Sequence, residues 1–234
     1  MNMSAKMIAH RGLSGMETEN TLAAFEAACK RLFYGIETDV HVTKDGKYII
    51  FHDECTGRLC EKNLIIEETD FEILRSLKFK DGMSEMPMLS EYLQVISRYK
   101  KVAVIELKKS MRESNIEEII EICKQEYTLD KIIFISFDFE NLVAVRKLLP
   151  KQKIQFLTEK FDDGLIKSLK EYGFDLDIRY DLLTKENIKE LHENNIAINC
   201  WTCDDSQKAE ELIGFGVDFI TTNIRRKRRS ERHR

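Results

Sequence analysis

The chain predicts an α/β fold built on a parallel sheet. Three observations carry that expectation. Short β-branched runs alternate with amphipathic stretches of helical length along most of the sequence, the pattern of strand–helix–strand units. At 234 residues, 43% of them hydrophobic, the chain fits one α/β barrel or two small domains and can bury a sizeable core. Its two prolines, Pro87 and Pro150, and ten glycines leave no linker or low-complexity tract to divide it.

In chain order, residues 7–11 form the first strand. Residues 20–33 form a helix, with Leu22, Phe25, Ala28, Cys29 and Leu32 recurring near a period of 3.6. Residues 35–43 form the second strand. The tetrapeptide Lys44-Asp45-Gly46-Lys47 is too short for a parallel crossover, so residues 48–52 return as an antiparallel hairpin strand. A two-residue Asp45-Gly46 turn would set His52 directly across from Asp39. Residues 53–88 carry weak periodicity and one helical stretch at 70–77, and read as a small insertion over one end of the barrel. The rest alternates regularly. Helices at 89–99, 115–126, 139–148, 162–172, 185–194 and 206–215 lie between or after strands at 102–108, 131–137, 154–158, 174–179, 197–202 and 218–222. Nine strands for eight barrel places leave one surplus, and the hairpin strand is that one. Residues 1–224 are thus expected to form a single barrel domain.

The net charge of −4 hides an asymmetry. Residues 225–234 hold seven Lys/Arg against the single Glu231, which leaves the preceding 224 residues at −10. An acidic body suits a bound cation better than nucleic acid, and the basic end reads as a disordered, solvated tail, with attraction to anionic lipid or nucleic acid the lesser reading. No apolar run reaches the roughly 18 residues of a membrane span, and Met1 to Lys6 has no secretory pattern. Together with six scattered cysteines, expected as reduced thiols, this places the protein in the cytosol. Oligomeric state is not legible.

Glu37 and Asp39 alternate with Ile36, Thr38 and Val40, so both carboxylates project from one strand face near its C-terminal tip. Like charges there call for a cation. Glu106 closes the apolar run Val102-Ala103-Val104-Ile105 and offers a third carboxylate on another strand tip. An all-oxygen set points to a hard ion, one Mg²⁺ or Ca²⁺. His10-Arg11 ends the first strand and His52-Asp53 the hairpin strand. Two imidazoles can divide acid and base work, while Arg11 and Lys108 can bind phosphate oxygens.

Set in order, His-Arg-Gly (10–12), Glu-Asn-Thr (19–21), Glu-x-Asp-Val (37–40), Thr-Lys-Asp-Gly (43–46), His-Asp (52–53), Pro-x-Leu (87–89), Glu-Leu-Lys (106–108), Ser-Phe (136–137), Trp-Thr (201–202) and Thr-Asn (222–223) resemble the glycerophosphodiester phosphodiesterases. Those enzymes belong to the wider group of phosphodiesterases that fold like phosphoinositide phospholipases. The resemblance covers essentially the whole barrel. It implies a TIM-type (β/α)8 barrel, a divalent cation on Glu37, Asp39 and Glu106, and His10 and His52 as the acid/base pair. It also implies phosphate contacts from Arg11 and Lys108, a pocket lined by Trp201, and Glu19 and Asn20 as supporting residues behind the metal or His10. The implied reaction is hydrolysis of glycerophosphodiesters to glycerol 3-phosphate and an alcohol, within lipid and glycerol metabolism. Thr18, Leu59-Cys60 and Arg225 depart from the family pattern without touching those positions.

Two other readings stand beside it: a lysophospholipase D-type lipid phosphodiesterase, and a barrel that has lost catalysis and only binds a phosphorylated ligand. The partner expected is a small molecule, not nucleic acid or an inserted membrane. Asn20 alone reads as a helix cap. Cys200 and Cys203 should face opposite sides of their strand, and a zinc site from Cys55, Cys60, Cys200 and Cys203 is the weaker alternative. His41, His192 and His233 read as structural or surface residues.

Overall fold

The computed structural model describes residues 5–224. The basic segment 225–234, with Arg225 and His233, lies outside them.

Eight parallel strands close into a barrel: β1 (Lys6–Ala9), β2 (Gly35–Val42), β4 (Val102–Leu107), β5 (Ile132–Ser136), β6 (Lys153–Thr158), β7 (Asp175–Arg179), β8 (Ile198–Trp201) and β9 (Phe219–Thr222). Each pairs with the next, and β1 closes the ring by pairing with both β9 and β2. The ninth strand, β3 (Tyr48–Ile50), runs antiparallel along the far half of β2 and stays outside the ring. The helices α1 (Leu22–Cys29), α2 (Phe71–Arg75), α3 (Leu89–Tyr99), α4 (Glu113–Glu126), α5 (Phe139–Leu148), α6 (Leu165–Tyr172), α7 (Lys185–Glu193) and α8 (Ser206–Phe215) complete the chain. All except α2 follow strands or lead into them as the outer layer of a TIM-type (β/α)8 barrel, as expected.

Strand alternation divides the core in two. Inward side chains Ile8, Val102, Val104, Ile133, Ile135 and Leu157 fill the barrel, while outward ones pack against the helices in a larger cluster. In that outer layer Tyr92 of α3 stacks edge-on against Phe25 of α1 at 4.8 Å, and its hydroxyl donates to the Ile36 carbonyl at 2.7 Å. The N-terminal mouth is stoppered by Tyr34 and Phe219, with the Lys6 ammonium 4.7 Å from the tyrosine ring centre. This leaves the C-terminal mouth as the open end, where such barrels carry their chemistry.

The hairpin differs from its expected register by one residue. Val40 pairs with Ile50 and Val42 with Tyr48, so the loop holds three residues, Lys44 to Gly46, rather than two. The cause is local. Thr43 Oγ1 donates to Asp45 Oδ1 and accepts from the Lys47 amide, closing a wider loop in which Gly46 takes the left-handed φ of +76°. Phe51, not His52, therefore stands across from Asp39, its amide donating to the Asp39 carbonyl at 3.1 Å. The Phe51 ring turns into a separate small core with Ile49, Cys60, Ile66, Leu74 and Phe79, which covers residues 53–88. His52 lies past the end of β3, its carbonyl accepting from His41 Nε2 at 3.2 Å.

Other boundaries shift for equally local reasons. Thr21, not Asn20, caps α1, its hydroxyl accepting from the Ala24 amide, so the helix begins at Leu22. Helix α6 starts at Leu165 because the Asp162 carboxylate accepts from the Gly164 amide and turns the chain first. Strand β8 ends at Trp201, so alternation does not reach Cys203, and Cys200 and Cys203 both pack in the outer cluster rather than on opposite faces. None of the six cysteines is in a disulfide, and no described helix is long and apolar enough to cross a membrane.

Candidate active site

The carboxylates of Glu37 and Asp39 on β2 and Glu106 on β4 meet at the C-terminal mouth because Asp39 and Glu106 are register partners on adjacent parallel strands. Each offers a ligand atom within 4.8 Å of the others, and among the described residues this is the group able to hold a metal ion. The cysteine alternative has no such cluster. Asp39 Oδ1 is buried without a hydrogen-bond donor, which is the signature of a ligand position rather than a finished internal contact. Lys108 Nζ approaches that oxygen to 3.2 Å as an ion pair off the hydrogen-bond axis, and donates to Glu106 at 2.7 Å.

The electrostatics suit a divalent cation. Burial, then repulsion from Asp39, pushes Glu106 up to about 7. Burial and its two acidic neighbours raise Glu37 well above the usual carboxylate range. Asp39 goes the other way: burial opposes its charge, yet Lys108 and Arg11 hold its carboxyl well below its ordinary value. Both glutamates thus hold their protons more readily than ordinary carboxylates, and a divalent ion would displace those protons.

Backbone and amide contacts fix this arrangement. Arg11, in the left-handed region at φ +52°, turns its amide onto Glu37 Oε2 at 2.8 Å, while its guanidinium reaches Glu19 at 2.9 Å and Asp39 at 3.5 Å. Asn20, also left-handed at φ +57°, is buried and donates to Asp39 Oδ2 at 2.7 Å while accepting from Thr38. Asn20 therefore supports one of the three carboxylates and does not cap the helix. Glu19 touches neither the ligands nor His10. It bridges Arg11 to Arg58, and Arg58 also holds Asp53, which accepts from His52 Nδ1 at 2.7 Å.

His10 Nδ1 lies 2.7 Å from Asn223 Oδ1. The orientation of that amide follows from Asp204, whose carboxylate accepts from Asn223 Nδ2 at 2.7 Å and from its backbone amide at 2.8 Å. The Asn223 oxygen must then accept, so His10 carries its proton on Nδ1 and keeps a lone pair on Nε2. Burial, then the Arg11 charge, pushes His10 down to about 4. Burial lowers His52 too, while Asp39 and Asp53 favour its charged form against Lys108 and Arg11.

A cleft of about 60 Å³ joins these groups: His10, Arg11, His52, Glu37 and Glu106 on one side, and Ile135, Phe137, Leu157 and Trp201 on the other, with Asp177 and Thr221 as the polar exceptions. Trp201 meets Phe137 edge-on at 5.5 Å. All of the residues expected at the site from sequence stand at or immediately behind this mouth. Sequence reasoning missed the roles of four contributors: Asn223, read only as part of the Thr-Asn motif, and Asp204, Arg58 and Asp177. Asn223 is 213 residues from His10, beyond any local pattern. Asp177 carried a usable signal, because Asp175-Leu176-Asp177 repeats the strand-tip alternation of Glu37-Thr38-Asp39.

The chain is similar to proteins of known kind over nearly its whole length. It is 30% identical over 231 residues to a glycerophosphodiester phosphodiesterase from Bacillus altitudinis, covering 94% of each. Its fold matches a phosphodiesterase of Oleispira antarctica, solved in complex with the product sn-glycerol-3-phosphate, with a TM-score of 0.89, 26% identity and coverage of 94% and 93%. A glycerophosphodiester phosphodiesterase from Parabacteroides distasonis matches at a TM-score of 0.83 and 28% identity, covering 94% and 93%. Residues 10–224, the span from the first site histidine to the end of the described chain, match the model of one family, and the chain belongs to the glycerophosphoryl diester phosphodiesterase family.

Proposed function

We propose that the protein hydrolyses glycerophosphodiesters to glycerol 3-phosphate and an alcohol, with one divalent cation, Mg²⁺ or Ca²⁺, on Glu37, Asp39 and Glu106. The observation that carries this reading is the buried carboxylate trio with its orphaned Asp39 oxygen, set beside two histidines whose Nδ1 atoms are both committed. When bound, the cation supplies charge neutralisation for the phosphate and lowers the pKa of a coordinated hydroxyl.

His10 is the general base. It is neutral near pH 7, its ring is oriented by Asn223, and its Nε2 lone pair takes the proton of the attacking oxygen, whether a glyceryl hydroxyl or water. His52 is the general acid in its protonated form, which Asp39 and Asp53 favour against burial: Asp53 accepts its Nδ1 proton, and Nε2–H passes to the departing alkoxide. Arg11 and Lys108 approach the mouth from the side of the carboxylates and offset the phosphate charge. Trp201, with Phe137 against it, forms the apolar wall for the organic part of the substrate.

Chelator-stripped protein incubated with glycerophosphocholine should release glycerol 3-phosphate and choline only after Mg²⁺ or Ca²⁺ is restored. Release that ignores the chelator removes the cation from the reading, and turnover of lysophospholipid alone moves it to a lipid phosphodiesterase.

A further inference from the structure

The side of the cleft facing the carboxylates is lined by apolar residues apart from Asp177 and Thr221. Thr221 is already engaged, exchanging hydrogen bonds with the Asn199 side chain. Asp177 is not. Its side chain is buried, the residue being 1% exposed, and Oδ1 has no hydrogen-bond partner. A second orphan stands beside it, the Nε1 of Trp201, a buried donor with nothing to donate to. The two residues are neighbours by register. Asp177 on β7 pairs with Asn199 on β8, and Trp201 lies two residues further along β8, so both project from the inward face toward the mouth.

A buried acceptor and a buried donor, both unpaired and both lining one cleft, match the two hydrogen-bonding capacities of an alcohol hydroxyl. Building on the phosphodiesterase reading above, we propose that Asp177 and Trp201 form a subsite that binds the terminal hydroxyl of the glyceryl moiety. That hydroxyl donates to Asp177 Oδ1 and accepts from Trp201 Nε1–H, so the pair makes the site specific for glyceryl over alkyl phosphodiesters.

The placement follows from charge and access. The phosphate belongs with Arg11, Lys108 and the carboxylate-held cation, on the opposite side of the cleft. The leaving alcohol varies in size and must depart, so it occupies the solvent side, where Phe137 is 46% exposed. The glyceryl unit is constant and takes the interior. The whole cleft, phosphate side included, measures about 60 Å³, which favours a short polyol over an acyl chain. Burial raises Asp177 to about 8. In its neutral form the carboxyl still accepts through its carbonyl oxygen, so the contact survives at either protonation state.

The test compares glycerophosphocholine with its analogue lacking only the terminal hydroxyl, 2-hydroxypropyl phosphocholine, on the cation-loaded enzyme. Wild type should favour the glyceryl substrate by at least about 10- to 100-fold in kcat/KM, the loss expected when a buried polar group is left unpaired. Asp177→Ala should bring that ratio to within a few-fold of one. Trp201→Phe keeps the ring and removes the N–H, and should lower the ratio partway, so the proposal stays testable if the Asp177 variant fails to fold. A wild-type enzyme that cleaves both substrates equally, or variants that lose both activities in the same proportion, overturn the subsite while leaving the phosphodiesterase reading intact. A cation-loaded wild type inert on both substrates overturns that reading, and the subsite with it.

Discussion

Each site histidine is oriented by a group that sequence proximity does not announce in the same way. His52 has its partner next door in Asp53, whereas His10 relies on Asn223, held in turn by Asp204 from the turn after β8. In both cases Nδ1 is committed, and Nε2 is the nitrogen left for chemistry. His10→Ala and His52→Ala should each lower kcat by about 10²- to 10⁴-fold, the range for a lost acid or base, while cation binding followed by calorimetry persists. The two should separate in pH dependence. Loss of the base removes the acidic limb of the kcat/KM profile, because His10 titrates at about 4, below the ordinary histidine value. Either variant retaining activity within about tenfold of wild type would end its acid/base assignment.

At the scale of elements, strand tips and the loops after them set the geometry. The segment after β1 turns sharply so that the Arg11 amide reaches Glu37 and the Asn20 side chain reaches Asp39. Gly12 makes this turn feasible: its φ is +79°, and a Cβ there would lie 2.7 Å from the Ala24 carbonyl carbon on α1. Gly12→Ala should cost on the order of 2–4 kcal/mol by combining a strained φ with a backbone clash, seen as a lowered Tm. Because the same turn aims His10 and Arg11, kcat/KM of the folded fraction should fall too, and a stable, fully active variant would show that the turn does not set the site. The nine strands were legible because a strand buried on both faces leaves a short continuous apolar run between polar segments, as in Val102 to Ile105. The hairpin register was not, because one hydroxyl, that of Thr43, chose a three-residue loop over the two-residue turn that Asp45-Gly46 suggested. Asn20 reads both ways, as a helix cap from its position and as a supporting residue from the resemblance, because the two look alike until β2 is brought against the loop.

Across the whole molecule, the buried acids make stability depend on the cation and on pH in a direction that can be worked out. Glu106 at about 7, Glu37 above its ordinary range and Asp177 at about 8 hold protons in the folded state that the unfolded chain releases near pH 4. Above that pH the native state binds more protons, so stability falls as pH rises, until each folded pKa is passed. His10, His41 and His52 are shifted down by burial and act in the opposite sense, since the unfolded chain protonates them first. Their contribution is half made at the free histidine value of about 6.5 and complete roughly one unit above it. From roughly pH 6.5 to 8 the acids outweigh what is left of the histidine effect, and the metal-free protein should lose up to about 2 kcal/mol for each proton held across that window. A divalent cation replaces those protons at Glu37 and Glu106, so adding Mg²⁺ or Ca²⁺ should raise Tm more at pH 8 than at pH 6.5, and flatten the decline. Asp177 lies outside the ligand trio, and Asp177→Asn should remove a part of the decline that the cation leaves behind. Melting curves across this window, with chelator and with cation, measure all three effects. A chelated protein whose Tm rises from pH 6.5 to 8 would mean that the trio is not proton-loaded when empty, and the electrostatic case for a resident cation would fail with it.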